Sequence, residues 1–401
     1  MRILVVYPDP FDRESFSRVG GHDFLFFDDA PSHWRPDPSF DPVDYLDRCL
    51  AFARREKVDA VVSTHDLGDL IAAIVGRELG LRGPSPESVF LCLHKYYGRQ
   101  READPVRCTA LPLDQPPPAL EYPAYFKAPW LKLGLLGYKL ENDADLARAL
   151  EVARREYPAW SRQYAPLFAR AVDLRDYPLA AADVMLVEEF VEGPQVTVEG
   201  WVRGGRPNIW AITDTNTFPG TRAIDNFSLP SRHDGETLEA MSRYAHDAIV
   251  RMGFDDGFFN LELWRTAGGL RLTEVNGRAA VCFAGLYAGA LGADIFAAVA
   301  DLACGAAGFS PPSGGLNAAA PRVAGQFNLL AFEEGTMAEL VDFGAASEIP
   351  ELALYHDPDT HIRPASEFGA VLGQIELTGP SYEAIHQKAQ EIRSRVLTLR
   401  Q

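Results

Sequence analysis

The stretch Gly257–Arg278, GFFNLELWRTAGGLRLTEVNGR, sets acids and amides in a pattern that can hold a metal ion. Two short apolar runs flank Ala267-Gly268-Gly269, which predicts a β-hairpin with a short glycine-containing loop. A turn centred on Gly268 sets Glu262 opposite Glu274 and Asn260 opposite Asn276. Side chains two apart on a strand share a face, so the four form one patch. Opposed residues bring their Cβ atoms within about 4.5–5.5 Å, where like charges destabilise the pair. Two readings follow. The patch is a charged face turned to water, as on many half-exposed strands, or the carboxylates share a divalent cation. Mg²⁺ suits the second, because it takes oxygens from one or two carboxylates together with substrate phosphates. Arg278 continues the alternation and adds a cation beside an anionic ligand.

Other residues could serve the same chemistry. Lys95 and Arg99, in ESVFLCLHKYYGRQ, share a helix face at i,i+4, a pattern that fits a solvated face as well as a site. Lys127 lies in the apolar run YPAYFKAPW. Buried lysine needs an anionic partner, either a protein carboxylate or a ligand phosphate. The loop after it, Trp130 to Gly137, has the position of a phosphate-binding loop but is poor in glycine and serine. Glu188, Glu189 and Glu192 gather before Gly193-Pro194, either as a charged bend between strands or as part of a site. Beyond it Gln195, Thr197, Glu199 and Trp201 alternate with Val196, Val198 and Val202. Residues 210–232 read as irregular and polar, where binding residues collect. Asp214, Asn216, Arg222 and Asp225 are expected there as substrate contacts, on polarity and placement alone.

The elements that position these residues are legible in outline. RILVVY (2–7) and VDAVVST (58–64) read as buried strands, and residues 42–57 and 66–79 as helices. This alternation predicts a parallel α/β layer, whose ligands lie beyond the carboxyl ends of the strands, where His65 and Asp66 stand. One helix is expected over 87–100, another over 143–156, a third over 235–252 ending at Gly253, an apolar helical region over 284–304, and a closing helix striped by Tyr382, Ile385, Ala389, Ile392, Val396 and Leu399. The 401 residues suffice for two or three domains, and the net charge of −18 argues against a nucleic-acid partner. Five cysteines with no Cys-x-x-Cys pair predict neither a disulfide framework nor a zinc site, and a reducing, cytoplasmic setting. No signal peptide and no membrane span are expected.

Taken in order, HKYYGR, YPAYFK, LVEEFVEGPQVTVE and FNLELW…TEVNGR resemble the ATP-grasp superfamily, and within it the carboxylate–amine ligases and their biotin-carboxylase-like relatives. The resemblance covers roughly residues 1–310. It implies an α/β (α+β overall) architecture. A Rossmann-like domain over 1–90 precedes an ATP-grasp domain over 91–310, with a lid near 120–187, and a small mixed C-terminal domain over 311–401. It implies that Lys95 and Lys127 hold the ATP phosphates. The hinge Glu188–Val191 receives the adenine through main-chain groups of Glu189 and Val191. Glu262, Glu274 and Asn276 ligate two magnesium ions, with Mn²⁺ as an alternative, and Arg278 holds a substrate carboxylate or the transferred phosphoryl group. Three positions depart from the pattern. Gln195 replaces a glutamate that binds the ribose, with Glu192 nearby as a substitute; the flap is apolar; and Asn260 replaces a histidine. The implied activity joins a small carboxylate to an amine, amino acids among them, through an acyl phosphate. Lys95, Lys127 and Arg278 would neutralise the developing charge, in an enzyme acting away from membranes and, as such relatives often are, a homodimer. Two alternatives use the same site: a carboxylase acting on bicarbonate, and a non-catalytic nucleotide-binding scaffold.

Overall fold

The computed structural model describes residues 1–28, 36–132, 134–219, 221, 223–306, 309, 322–364 and 369–398. At the N-terminus β1 (Arg2–Val6), β2 (Asp23–Phe27) and β3 (Ala60–Val62) form a parallel sheet in the order β2-β1-β3. Ile3 to Val6 are fully buried, which explains the unbroken apolar run. The Pro42–Glu56 helix starts where the Asp41 carboxylate accepts from the N–H groups of Val43 and Asp44. The Asp66–Leu79 helix stops at Gly80, whose φ of +66° few other residues adopt.

The helix expected over 87–100 is two helices, Pro86–Leu93 and Lys95–Arg99, broken at His94. His94 is fully buried among the rings of Phe90, Tyr97 and Phe168. The break lets the Lys95 N–H donate to Pro129 O at 2.6 Å, which ties the lysine to the flap. A four-stranded antiparallel sheet follows, in the order β4 (Cys108–Pro112), β7 (Val184–Glu189), β5 (Ala124–Lys127), β6 (Tyr138–Leu140). The helix expected to end at Glu156 runs through Pro158 and Pro166 to Ala171. Burial of Tyr157, Trp160, Leu167 and Phe168 on one side outweighs the hydrogen bonds lost at the prolines.

Among the described residues the largest sheet has eight strands. They are β8 (Gln195–Arg203), β9 (Arg206–Thr217), β10 (Ile224–Leu229), β11 (Gly257–Thr266), β12 (Gly269–Asn276), β13 (Val323–Ala331), β15 (Leu352–Leu354) and β17 (Ala370–Gly379). Two short strands, β14 (Gly335–Thr336) and β16 (His361–Ile362), pair with each other. The order across the large sheet is β12-β11-β8-β9-β10-β13-β17-β15. Residues 210–232, read as irregular from sequence, are therefore largely strand. The Gly235–Arg251 helix, with Gly253 just beyond it, precedes the hairpin as expected. The apolar region after the hairpin is bent: residues Val281–Leu291 and Ile295–Ala303 meet at 109°, and no single described helix is long and apolar enough to cross a membrane.

The C-terminal segment has its own core, built on Phe327, Leu329, Ile375 and the buried stripe Ile385, Ala389, Ile392 and Val396 of the Tyr382–Val396 helix. Leu399 lies outside the described residues. Yet β13 hydrogen-bonds to β10, so this segment extends the central sheet. Of the expected domain divisions, residue 90 falls inside the Pro86–Leu93 helix, and 310 and 311 lie outside the described residues.

Candidate active site

The hairpin sets Glu262 opposite Glu274 and Asn260 opposite Asn276. The loop is shorter than expected: Thr266 pairs with Gly269, so only Ala267 and Gly268 lie between the strands. A bulge at Thr273 adds the missing residue and restores the register at the acids. It also turns the Thr273 carbonyl toward cations, accepting from Arg99 at 2.6 Å and Lys127 at 3.5 Å.

The two carboxylates differ in their surroundings. Lys95 Nζ lies 3.0 Å from one oxygen of Glu274 and Lys132 Nζ 3.4 Å from the other. Burial opposes ionisation of Glu274, but Lys132 and Lys95 outweigh it and hold its carboxyl far below the usual range. Glu262 makes no ion pair among the described residues and accepts a hydrogen bond from Gln195 Nε2 at 3.0 Å. Burial, and then the charge on Glu274, push the Glu262 carboxyl well up, so the pair retains a proton. Lys95 is 5% exposed, and burial lowers its ammonium to about 8 against the pull of Glu274.

Asn276 donates through Nδ2 to Asn260 Oδ1 at 3.1 Å, and its own Oδ1, fully buried, has no hydrogen-bond partner among the described residues. Asn260 in turn donates to Glu199 Oε1 at 3.2 Å, and Thr197 and Thr213 also donate to Glu199. Two facing carboxylates, one of them pushed by burial toward its protonated form, and an orphaned amide oxygen beside them make a donor set that fits a hard divalent cation.

A second ion-paired cluster flanks the hairpin. Lys127 Nζ lies 2.6 Å from Glu188, which Arg99 also grips at 3.0 and 3.3 Å. Arg99 reaches Glu102 at 2.7 Å. Burial would raise the Glu188 carboxyl, yet Arg99 and Lys127 bring it down to about 2. The anionic partner of Lys127 is thus a protein carboxylate in this structure. Glu188 was expected in the hinge; its backbone is paired in the sheet with Cys108 on one side and Tyr125 on the other, and its side chain anchors the cations. Glu189 is held by Arg107, through both side chain and backbone, at 3.0 Å. The main-chain N–H and C=O of Val191 make no hydrogen bond among the described residues, which leaves them open to a ligand edge. Glu192 is exposed. At Gly193, with φ +148°, a Cβ would lie 2.2 Å from Arg265 O, so only glycine fits the bend.

Arg278 forms a two-pronged ion pair with Asp66, 212 residues earlier, at 3.1 and 3.3 Å. Asp66 opens the helix after β3, at the carboxyl end of the parallel sheet. His65 turns instead to Asp12, 2.9 Å away.

The loop residues expected to touch substrate are engaged elsewhere. Asp214 accepts from Ser231 Oγ at 2.5 Å and the Arg232 N–H at 2.9 Å. Asn216 donates to Asn226 at 2.9 Å and accepts from Arg232 at 2.7 Å. Asp225 pairs with Arg393 of the closing helix at 2.6 Å. On β9 it is Thr213 that meets Glu199, so Asp214 and Asn216, one residue out of phase, face the other way. Arg222 lies outside the described residues. Two site residues were not singled out from sequence, Lys132, hidden in an apolar run, and Glu199, one of an alternating strand; two more, Asp66 at a strand end and Arg99 on the face of Lys95, were named there without a role in the site.

No family model matches the sequence. Over 256 residues, 57% of the chain, it is 29% identical to carnosine synthase 1 of Mus musculus, of which the match spans only 28% of the length. The L-amino acid ligase of Bacillus licheniformis superposes with a TM-score of 0.75 at 15% identity, over 100% of this chain and 99% of that one. This chain has the ATP-grasp fold. The same ATP-grasp architecture relates it to the N5-carboxyaminoimidazole synthase of Aspergillus clavatus, solved with ADP and 5-aminoimidazole ribonucleotide (TM-score 0.65, 15% identity, 98% and 97% coverage), and to the phosphoribosylglycinamide synthetase of Anaerococcus prevotii (0.65, 14%, 100% and 99%).

Proposed function

We propose that the protein is an ATP-dependent ligase that activates a carboxylate as an acyl phosphate and joins it to an amine. The observation that carries the reading is the Glu262–Glu274 pair, face to face on the hairpin beside the orphaned Asn276 oxygen, with Lys95 and Lys132 on Glu274 and Lys127 nearby. Glu262, Glu274 and Asn276 would hold Mg²⁺, which supplies Lewis-acid polarisation of phosphate oxygens when bound.

The chain's own residues do the rest. Val191 and the neighbouring hinge backbone take the adenine edge, and Gln195, with its carbonyl oxygen free of the bond to Glu262, takes a ribose hydroxyl. Lys95 and Lys127 exchange their carboxylate partners for phosphate oxygens as ATP enters, with Lys132 beside them from the flap. Arg278, fixed by Asp66, orients the substrate carboxylate. That carboxylate attacks the γ-phosphorus and ADP leaves; the amine then attacks the acyl carbon and phosphate leaves. Catalysis here is positioning and charge neutralisation, and no side chain becomes a covalent nucleophile. The 1–90 and 91–310 segments would meet at the Arg278–Asp66 pair.

An ADP-release screen over paired amino acids and small carboxylic acids, with mass detection of product, tests the reading. Amine-dependent ADP release with a new amide supports it. ADP release that follows bicarbonate, or tight ATP binding with no turnover under any mixture, overturns it.

A further inference from the structure

The hairpin residues continue across the central sheet in two rows. Pairing sets Asn276 beside Asn260 and Asn260 beside Glu199. In the next row Glu274 stands beside Glu262, Glu262 beside Thr197 and Thr197 beside Thr213. Directly opposed residues share a face, as do residues two apart on a strand, so both rows lie on one side of the sheet. Asn276, Asn260, Glu199, Thr197 and Thr213 are all buried.

The first row is a chain of amides with a direction. Asn276 Nδ2 donates to Asn260 Oδ1 at 3.1 Å, and Asn260 Nδ2 donates to Glu199 Oε1 at 3.2 Å. Thr197 donates to the same Oε1, and Thr213 donates to Oε2 at 3.2 Å. An amide has a donor end and an acceptor end, so the group that one end meets decides what the other end presents. The chain finishes on a carboxylate oxygen, so each amide turns its nitrogen toward Glu199. Asn276, at the far end, is left with its oxygen. That oxygen is fully buried and has no hydrogen-bond partner among the described residues. A polar network kept for packing alone pairs its buried atoms; here the atom left over is the one next to the hairpin carboxylates.

A proton on Glu199 does not reverse the chain. Oε1 already accepts two bonds, so the proton belongs on Oε2, where the Thr213 hydroxyl can turn and accept it.

We propose that Glu199 is a positioning residue for the metal: by ending the amide chain on an acceptor it fixes Asn276 with its oxygen, rather than its nitrogen, available to the cation. This rests on the reading of Asn276 as a metal ligand. Glu199 acts through Asn260, two strands away from Asn276. A reversed Asn276 presents N–H groups, and Mg²⁺ takes oxygen ligands.

Mn²⁺ binding to the full chain, read by calorimetry with and without a non-hydrolysable ATP analogue, tests this without turnover. Glu199→Gln should bind Mn²⁺ much as the wild type does, because its carbonyl replaces Oε1 and its amide donates to Thr213. Glu199→Leu removes the acceptor and frees Asn260 to turn, and should weaken Mn²⁺ binding about tenfold or more, the usual loss when the partner behind a metal ligand is removed. Asn276→Asp separates direction from packing. In the wild-type background the new carboxylate meets Asn260 Oδ1, oxygen against oxygen, so Mn²⁺ should bind no more tightly in spite of the added charge. In the Glu199→Leu background Asn260 can turn and donate to it, so the same substitution should recover most of the lost affinity. Recovery confined to that background supports the relay. Tighter binding by Asn276→Asp alone, unchanged binding in Glu199→Leu, or a loss in Glu199→Leu that Asn276→Asp does not repair overturns the relay and leaves the metal site standing. No Mn²⁺ binding by the wild type overturns the metal reading and the relay together. Should circular dichroism show Glu199→Leu unfolded, the Asn276→Asp variant alone still decides.

Discussion

Lys95 Nζ and Glu274 Oε2 lie 3.0 Å apart, both nearly sealed from solvent, at the point where the hairpin meets the flap. A buried ion pair is costly to desolvate and contributes little net stability, while removing one partner strands the other. Such a pair makes most sense where each member has a second partner to take, a cation for the glutamate and a phosphate for the lysine. Glu274→Gln should lower ADP release by about 100-fold or more, with the far-ultraviolet circular dichroism unchanged. Near-normal turnover in that variant would remove the carboxylate from the metal site.

Lys127 is predicted to matter for nucleotide affinity more than for folding. Lys127→Ala leaves Glu188 with Arg99, which already grips both of its oxygens. The protein should fold, and calorimetry should show ATP bound about tenfold more weakly, the usual scale for one charge-assisted contact. Unchanged affinity would confine Lys127 to a structural role.

Glu199 gives a prediction in pH. Burial pushes its carboxyl up to about 8, with Thr197, Thr213 and Asn260 opposing. An unfolded glutamate ionises near about 4.3. Between those values the unfolded chain has lost its proton and the folded chain has kept it, so stability falls as pH rises through that window and levels off above it. Glu262 is shifted in the same direction, so Glu199→Gln should lessen the decline without abolishing it. At the alkaline end the variant should gain about 1–3 kcal/mol in urea unfolding. An unaltered pH slope would assign the decline to other groups.

Gly193→Ala should destabilise by about 1–3 kcal/mol, since its φ of +148° and the Arg265 carbonyl 2.2 Å from the new Cβ both resist a side chain. The bend positions Val191, so binding of an ATP analogue should weaken together with stability. Weaker stability with intact nucleotide affinity would detach the bend from the adenine edge.

How much of this was legible in sequence depended on whether the geometry was local. The hairpin was readable because its partners are sixteen residues or fewer apart, and even there two local errors cancelled: the loop is one residue shorter than expected and the Thr273 bulge supplies the difference. Lys127 was legible as a charge that needed a partner, although the partner could not be named. The Asp66–Arg278 pair joins two distant segments, and no local period announces it. Lys132 sits in an apolar run whose pattern says nothing of where its ammonium points. Asp214, Asn216 and Asp225 were misread because polar residues in strands look like loop when the opposite face is packed by Arg232, Tyr382 and Arg393.

The bonding of β13 to β10 has a consequence for how the chain can be divided. A chain ended before Val323 would leave Ile224–Leu229 as a bare margin of unpaired N–H and C=O groups. Such margins recruit strands from other molecules. The final segment therefore acts as a selvedge, moving that margin of the sheet from the 6-residue strand Ile224–Leu229 to the 3-residue strand Leu352–Leu354.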